Sequence, residues 1–251
     1  MREHSEEIAV QLYSLRQVLA DDVEGCLARV AELGYRGVEL AGWANQKPEH
    51  WSDLLLQYHL TPVGMHVGYE QLDDNVERVI AEASVIGAPV IVVPAVPAPM
   101  RKTEADWMGV AGWLNRIGEH VRQSGKRLAY HNHWFEFDIL PEGGTGFDRL
   151  VNLTDPSLVE FEVDLYWATW AGQSVPELVR RLGRRMTLCH LKDMTAGEPR
   201  TFAPVGQGIL PWREWLPLLD VESWIVEQDE CAESDPFSCI EVSIHYLTGK
   251  A

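Results

Sequence analysis

At 251 residues, with 46% hydrophobic and 24% charged side chains, the chain has the size and composition of one folded domain and no mark of disorder. A formal net charge of −17 speaks against DNA or RNA as a partner, because affinity for phosphate backbones comes largely from Lys and Arg displacing counterions. The N-terminal MREHSEEIAVQLYSLR lacks the apolar core of a signal peptide, and no run of roughly 18 apolar residues exists to span a membrane, so a cytoplasmic protein without a membrane partner is expected.

In chain order, short β-branched runs alternate with segments of helical period. The first strand is expected at Ile8 to Leu12, and it runs into QLYSLR without a glycine-rich phosphate loop. A helix from Val23 to Leu33 follows the N-cap candidates Asp21 and Asp22 and stops at Gly34. Strand Gly37 to Leu40, helix Pro48 to Tyr58, strand Pro62 to Val67 and helix Leu72 to Ile86, closed by Gly87, come next. Strand Val90 to Pro94 precedes a helix from Asp106 to Arg122 that ends near Gly125; strand Leu128 to His133 precedes a short helix from Phe147 to Asn152. Then come strand Val159 to Asp164, helix Val175 to Leu182, strand Thr187 to Leu191, helix Trp212 to Leu219, strand Trp224 to Glu227 and a last helix from about Pro236 to Leu247. Arg180, Arg181, Arg184 and Arg185 gather where a helix C-terminus favours positive charge.

Eight strands separated by helices predict an α/β fold of the (β/α)8 TIM-barrel type, with residues 1–251 as one domain and no linker inside it. An open doubly wound sheet usually has fewer strands and often a phosphate loop after the first, which this chain lacks. Cys26, Cys189, Cys231 and Cys239 form no CxxC pair and are too sparse for a disulfide scaffold, so reduced thiols are expected.

In such a barrel, side chains at the C-terminal strand ends converge on one site. Those ends carry Gln11, Glu39, His66, Pro94, His131 and His133 with Glu136 just beyond, Asp164, His190 with Lys192, and Glu227. Crowding so many carboxylates and imidazoles is costly unless a cation relieves the repulsion and the lost hydration. Hard oxygens mixed with imidazole nitrogen suit one divalent ion of the Zn, Mn, Fe, Co or Mg group. Asp164, an acid within the otherwise apolar run FEVDLYWATW, needs such a partner, and His190 in LCHLKD and Glu227 in WIVEQDE repeat that logic. Tyr13, Trp43, Trp134, Tyr166 and Trp167 stand near strand ends, where flat rings can stack on the C–H faces of a sugar.

The motifs QLYSLR, GVEL, MHV, AYHNHWFEF, VDLYW, HLKD, VGQGILPW and VEQD, in this order and at these strand ends, resemble the sugar phosphate isomerase/epimerase superfamily of xylose-isomerase-like barrels over essentially the whole chain. The resemblance implies a metal held by an acid on strand five, Asp164, His190 and Glu227. On strand five this chain departs from the Glu-Asn-His of many relatives and reads His131-Asn132-His133. Either His131 takes the acid's place, which strand alternation favours, or Glu136 reaches the metal from farther along.

The activity so implied is isomerisation or epimerisation of a small sugar or keto-sugar through a metal-stabilised enediolate. Glu136 or Glu227 is the candidate base, with Lys192 or His66 as acid or second base. His133, Gln11, Glu39, Trp167 and Arg200, in EPRTFAPVGQG, are candidates for substrate contact. Expulsion of a β-hydroxyl from the same intermediate would make the protein a dehydratase of a keto-sugar, keto-glycoside or inosose, and the HNH variant points toward that branch. An apurinic-endonuclease-like nuclease would need more metal ligands and a basic rim; a non-catalytic sugar-binding barrel would have lost metal ligands. A small-molecule carbohydrate is the expected partner, and relatives that form dimers or tetramers make a homo-oligomer the expectation.

Overall fold

The computed structural model describes residues 8–231 and 235–250. Eight parallel strands close into a barrel: β1 (Ile8–Gln11), β2 (Gly37–Ala41), β3 (Thr61–His66), β4 (Val90–Val93), β5 (Arg127–His131), β6 (Val159–Asp164), β7 (Met186–Leu191) and β8 (Ser223–Val226). Each strand pairs with its sequence neighbours, and β8 closes the ring against β1 through Ile8 opposite Trp224 and Val10 opposite Val226. The outer layer is α1 (Val23–Glu32), α2 (Pro48–Gln57), α3 (Tyr69–Ile86), α4 (Glu104–Gln123), α5 (Gly146–Leu153), α6 (Val175–Leu182), α7 (Trp212–Trp215) and α8 (Pro236–Thr248). The expected α/β barrel, strand for strand, is the observed one.

Local chemistry sets the helix ends. Asp22 caps α1 by accepting from the Gly25 N–H at 2.9 Å, and Thr103 and Asp106 form a reciprocal capping box at the start of α4. Gly87 closes α3 with φ of 87°, a backbone state that suits glycine. Two short helices, Arg16–Asp21 and Leu165–Trp170, were not foreseen from the sequence. Arg180 and Arg181 do lie in the last turn of α6, Arg181 pairs with Asp148, and Arg185 donates to the carbonyls of Val151 and Val159.

Alternation along the strands sorts side chains between two cores. Ala9, Val90, Val92, Ala129, Leu188 and Ile225 point inward and fill the lower barrel with Val63. Residues of the other parity, among them Val10, Val38, Tyr130, Cys189 and Val226, join the larger apolar layer beneath the helices. Apolar side chains fill the barrel floor, so the polar residues above them rest on a packed base.

One expectation is corrected. Cys231 and Cys239 form a disulfide, with Cα atoms 6.1 Å apart, and only Cys26 and Cys189 remain free thiols. The chain turns back after β8 into α8, which brings two sparse cysteines within bridging distance; spacing alone gives no sign of that. Among the described residues, no helix is long and apolar enough to cross a membrane.

Candidate metal centre

The inward positions one layer above the apolar floor are almost all ionisable. β6 supplies two of them, Glu162 and Asp164, because residues two apart share a face; β2 supplies Glu39, β3 His66, β5 His131 and β7 His190, with Lys192 and Glu227 just past the ends of β7 and β8. His190 is the hub. Its Nδ1 lies 2.8 Å from Glu227 Oε2 and its Nε2 lies 2.7 Å from Glu39 Oε2 and 3.2 Å from Glu162 Oε2. His66 Nε2 approaches Glu162 Oε2 to 2.7 Å, and His131 Nδ1 stands 2.9 Å from the same oxygen without hydrogen-bond geometry. Lys192 Nζ contacts Asp164, Glu227 and Asp229 at 2.8, 2.6 and 2.8 Å.

The backbone around this cluster is pinned by side chains. Asp164 Oδ1 accepts from the Trp167 N–H at 3.0 Å, capping the Leu165–Trp170 helix and leaving Oδ2 for the cluster. Asn132 clamps the ends of β5 and β6 together: its side-chain amide donates to the Asp164 carbonyl and its side-chain oxygen accepts from the Asp164 N–H. Gln11 donates to Glu39 Oε2 at 2.8 Å. A Cβ at Gly64 would meet Glu39 Oε1 at 2.5 Å, so glycine there makes room for the Glu39 carboxylate.

Burial and mutual charge divide the protonation states. Burial opposes the imidazolium form, yet Glu39 and Glu162 overcome it and hold His66 up at about 10; Glu162 and Glu227 likewise hold His190 well above its ordinary range. Burial and the nearby charge of His190 depress His131, while burial and Lys192 depress His133 to about 3. Burial pushes Asp164 up to about 6 against the pull of Lys192. Two imidazolium groups and an ammonium therefore neutralise buried carboxylates, a task for which one divalent cation is equally suited.

The donor set fits such an ion. Two overlapping quartets, His66, His131, Glu162 and His190, and His131, Asp164, His190 and Glu227, each bring one ligand atom per residue within 4.8 Å of one another. Glu39 Oε1 and Glu162 Oε1 are buried without hydrogen-bond partners, while His131 Nδ1 and Asp164 Oδ2 meet Glu162 and Lys192 as ion-pair contacts; unsatisfied polar atoms at such depth are costly. Imidazole nitrogen with carboxylate oxygen suits zinc, manganese, iron or cobalt.

The second quartet is the set expected from the sequence, and His131, not Glu136, is the residue that strand five brings to it. Glu136 is turned elsewhere: its carboxylate accepts from the Tyr130 hydroxyl at 2.8 Å and from the His133 N–H at 2.7 Å, and Tyr130 belongs to the outer apolar layer. A short 3-10 turn at Phe135–Phe137 carries it off the barrel axis. Gln11 and Glu39 are fully buried beneath His190 and support it instead of facing a ligand.

His66, His131, His133 and Glu227 do line a mouth of ≈ 290 Å³, together with Tyr13 and Asp229. Trp167 and Arg200 lie outside that mouth, in an adjoining cavity. Sequence reasoning missed Glu162, Asn132 and Asp229. Parity with Asp164 was the available signal for Glu162, and the motifs HNH and VEQD, which contain Asn132 and Asp229, were the signal for the other two.

A family model described as a xylose isomerase-like TIM barrel matches residues 27–226. A curated relative, the inosose dehydratase of Geobacillus kaustophilus (strain HTA426), is 24% identical over 88% of this chain and 85% of its own length. The crystal structure of a sugar phosphate isomerase/epimerase from Parabacteroides distasonis ATCC 8503 superposes with a TM-score of 0.85 at 22% identity, covering 97% of this chain and 94% of that one. A xylose isomerase-like TIM barrel protein from Mycobacterium smegmatis, solved in complex with magnesium, superposes with a TM-score of 0.73 at 15% identity, covering 99% of this chain and 97% of that one.

Proposed function

Because the chain belongs to the xylose isomerase-like TIM-barrel family, we propose that it is a metal-dependent lyase that removes water from a keto-polyol of the inosose type. The observation that carries this reading is the juxtaposition, at one mouth, of a four-ligand cation seat with separate groups able to take and give protons. The inosose dehydratase relative, aligned over most of both chains, supports dehydration ahead of the isomerase or epimerase chemistry expected from the sequence.

His131, Asp164, His190 and Glu227 would hold the divalent ion, which supplies Lewis-acid polarisation of the substrate carbonyl. A single polyol ring matches the size of the mouth, at the lower end of small-molecule pockets of about 300–1,000 Å³. His133, neutral and with Nδ1 free of hydrogen bonds, accepts from a substrate hydroxyl. Asp229, raised by burial and by the Glu227 charge, takes the proton from the carbon next to the carbonyl. The C–H electrons form a carbon–carbon double bond as the β-carbon–oxygen bond breaks. His66, kept as imidazolium by Glu39 and Glu162, protonates the departing hydroxide to water. When the deprotonated carbon also bears a hydroxyl, the product is an enol that tautomerises to a 1,2-dione.

Incubation with 2-keto-myo-inositol in D₂O, followed by NMR, tests this reading. Loss of water and growth of a 1,2-dione are expected. Deuterium incorporation with the hydroxyl count unchanged would instead mark an isomerase or epimerase, and no change in any of a panel of inososes would reject the reading.

A further inference from the structure

Beside the catalytic mouth lies a second cavity of ≈ 420 Å³ whose walls are mostly aromatic: Trp134, Tyr166, Trp167, Trp170 and Phe202, with Arg200 at the rim. The two spaces meet at Trp167, whose ring lies 6.1 Å from His133 and carries Lys192 Nζ 5.5 Å from its centroid. The rings form a box: Trp134 and Trp167 are 4.8 Å apart and tilted by 49°, and Tyr166 and Phe202 are stacked at 4.8 Å. Trp134 and Trp170 each leave 42% of their surface exposed, an apolar area that burial against a partner would stabilise.

Polar groups stand beside the rings in this cavity. Trp167 Nε1 is buried with no hydrogen-bond partner. Among the described residues, the Arg200 guanidinium meets Met194 Sδ at 3.8 Å and Glu198 at 3.6 Å, and Thr201 and Glu230 also face the space. A wholly apolar ligand would leave the buried Trp167 indole N–H unmet and the Arg200 guanidinium with only its long contacts, whereas a sugar ring presents a C–H face to the tryptophans and hydroxyls to these two groups. The hairpin that brings Arg200 and Phe202 here, Asp193–Met194 paired with Phe202–Ala203, is fixed by Asp193, which accepts from the N–H groups of Met194, Gly206 and Leu210. The platform is thus preorganised next to the place where the first ring sits.

We propose that this cavity is a subsite for a glycosyl group, so that the substrate is a two-ring compound in which a keto-polyol in the mouth carries a sugar through one bridging oxygen. The inference rests on the lyase reading for the first ring only. It is tested by calorimetric titration of the metal-loaded protein with 2-keto-myo-inositol and with the same compound bearing one glucosyl group, alongside turnover of each.

The glucosylated ligand is expected to bind about tenfold or more tightly than the bare ring, the gain of one well-formed stacking contact. Trp170→Ala should remove most of that preference while leaving turnover of the bare ring unchanged, and Trp134→Ala should weaken the same ligand independently. Equal affinity of the wild type for the two ligands, or a preference that survives both variants, overturns the proposal. Platform-dependent binding without water loss would reject the lyase reading and keep the subsite; water loss from the bare ring with no gain from the glucosyl group would do the reverse.

Discussion

Replacing Glu136 by Gln changes how stability depends on pH, and the size of the change follows from its surroundings. The carboxyl is fully buried, and burial outweighs its hydrogen bonds from Tyr130 and the His133 N–H, raising it from 4.5 to about 7. Between those values the folded protein binds a proton that the unfolded chain has already released, so this group makes the protein less stable as pH rises. The effect is small near pH 5 and nearly complete at pH 8, and at about 1.4 kcal/mol per unit it amounts to roughly 2–3 kcal/mol over that interval. The neutral amide of the Glu136→Gln variant has no proton to lose. Urea denaturation of both proteins from pH 5 to pH 8 should therefore show the stability of Glu136→Gln relative to wild type climbing by roughly that amount. A difference that stays flat, or that falls with pH, would refute the assignment of Glu136 as a buried acid held near neutrality.

Gly64→Ala should push Glu39 off His190, since the new Cβ meets Glu39 Oε1 at 2.5 Å; a loss of about 10–100-fold in divalent-metal affinity, read by chelator competition, is expected with the far-UV spectrum unchanged. Asp193→Ala strands the N–H groups of Met194, Gly206 and Leu210, so urea denaturation should show a loss of about 3 kcal/mol or more. Gly118→Ala places a Cβ 2.7 Å from the Leu158 carbonyl and should cost about 1–3 kcal/mol, measured the same way, with the metal site intact.

Much of the barrel was legible because period and punctuation agree. β-branched runs such as Val90–Val93 and glycines such as Gly87 are dictated by backbone geometry that any sequence must obey. The ends of the strands were equally plain, since Asp164 and His190 interrupt apolar runs with groups that cannot be buried alone. What was not legible depends on three-dimensional closure.

Glu136 is three residues from His133 in the sequence, yet a single 3-10 turn sends it to the opposite side of the strand. Gln11 and Glu39 stand at strand ends like true rim residues but spend their polar atoms inside the cluster, Gln11 on Glu39 and Glu39 on His190. Glu162 was hidden by its neighbour Asp164, although the two share a face. The Cys231–Cys239 bridge arises from the return of α8 toward β8, which no local pattern encodes. The aromatic cavity joins residues from the loop after β5, the Leu165–Trp170 helix, the segment after β7 and the loop after β8, four segments that meet only once the barrel has closed.

The most direct test is the rate of water loss from 2-keto-myo-inositol by protein stripped with chelator and then titrated with Mn²⁺ or Co²⁺, run in parallel with Asp164→Ala. The account predicts no turnover in the stripped protein, full recovery at about one equivalent of metal, and no recovery in the variant at the same metal concentration. Turnover that persists in the stripped protein, or that Asp164→Ala regains with wild-type metal dependence, would contradict it.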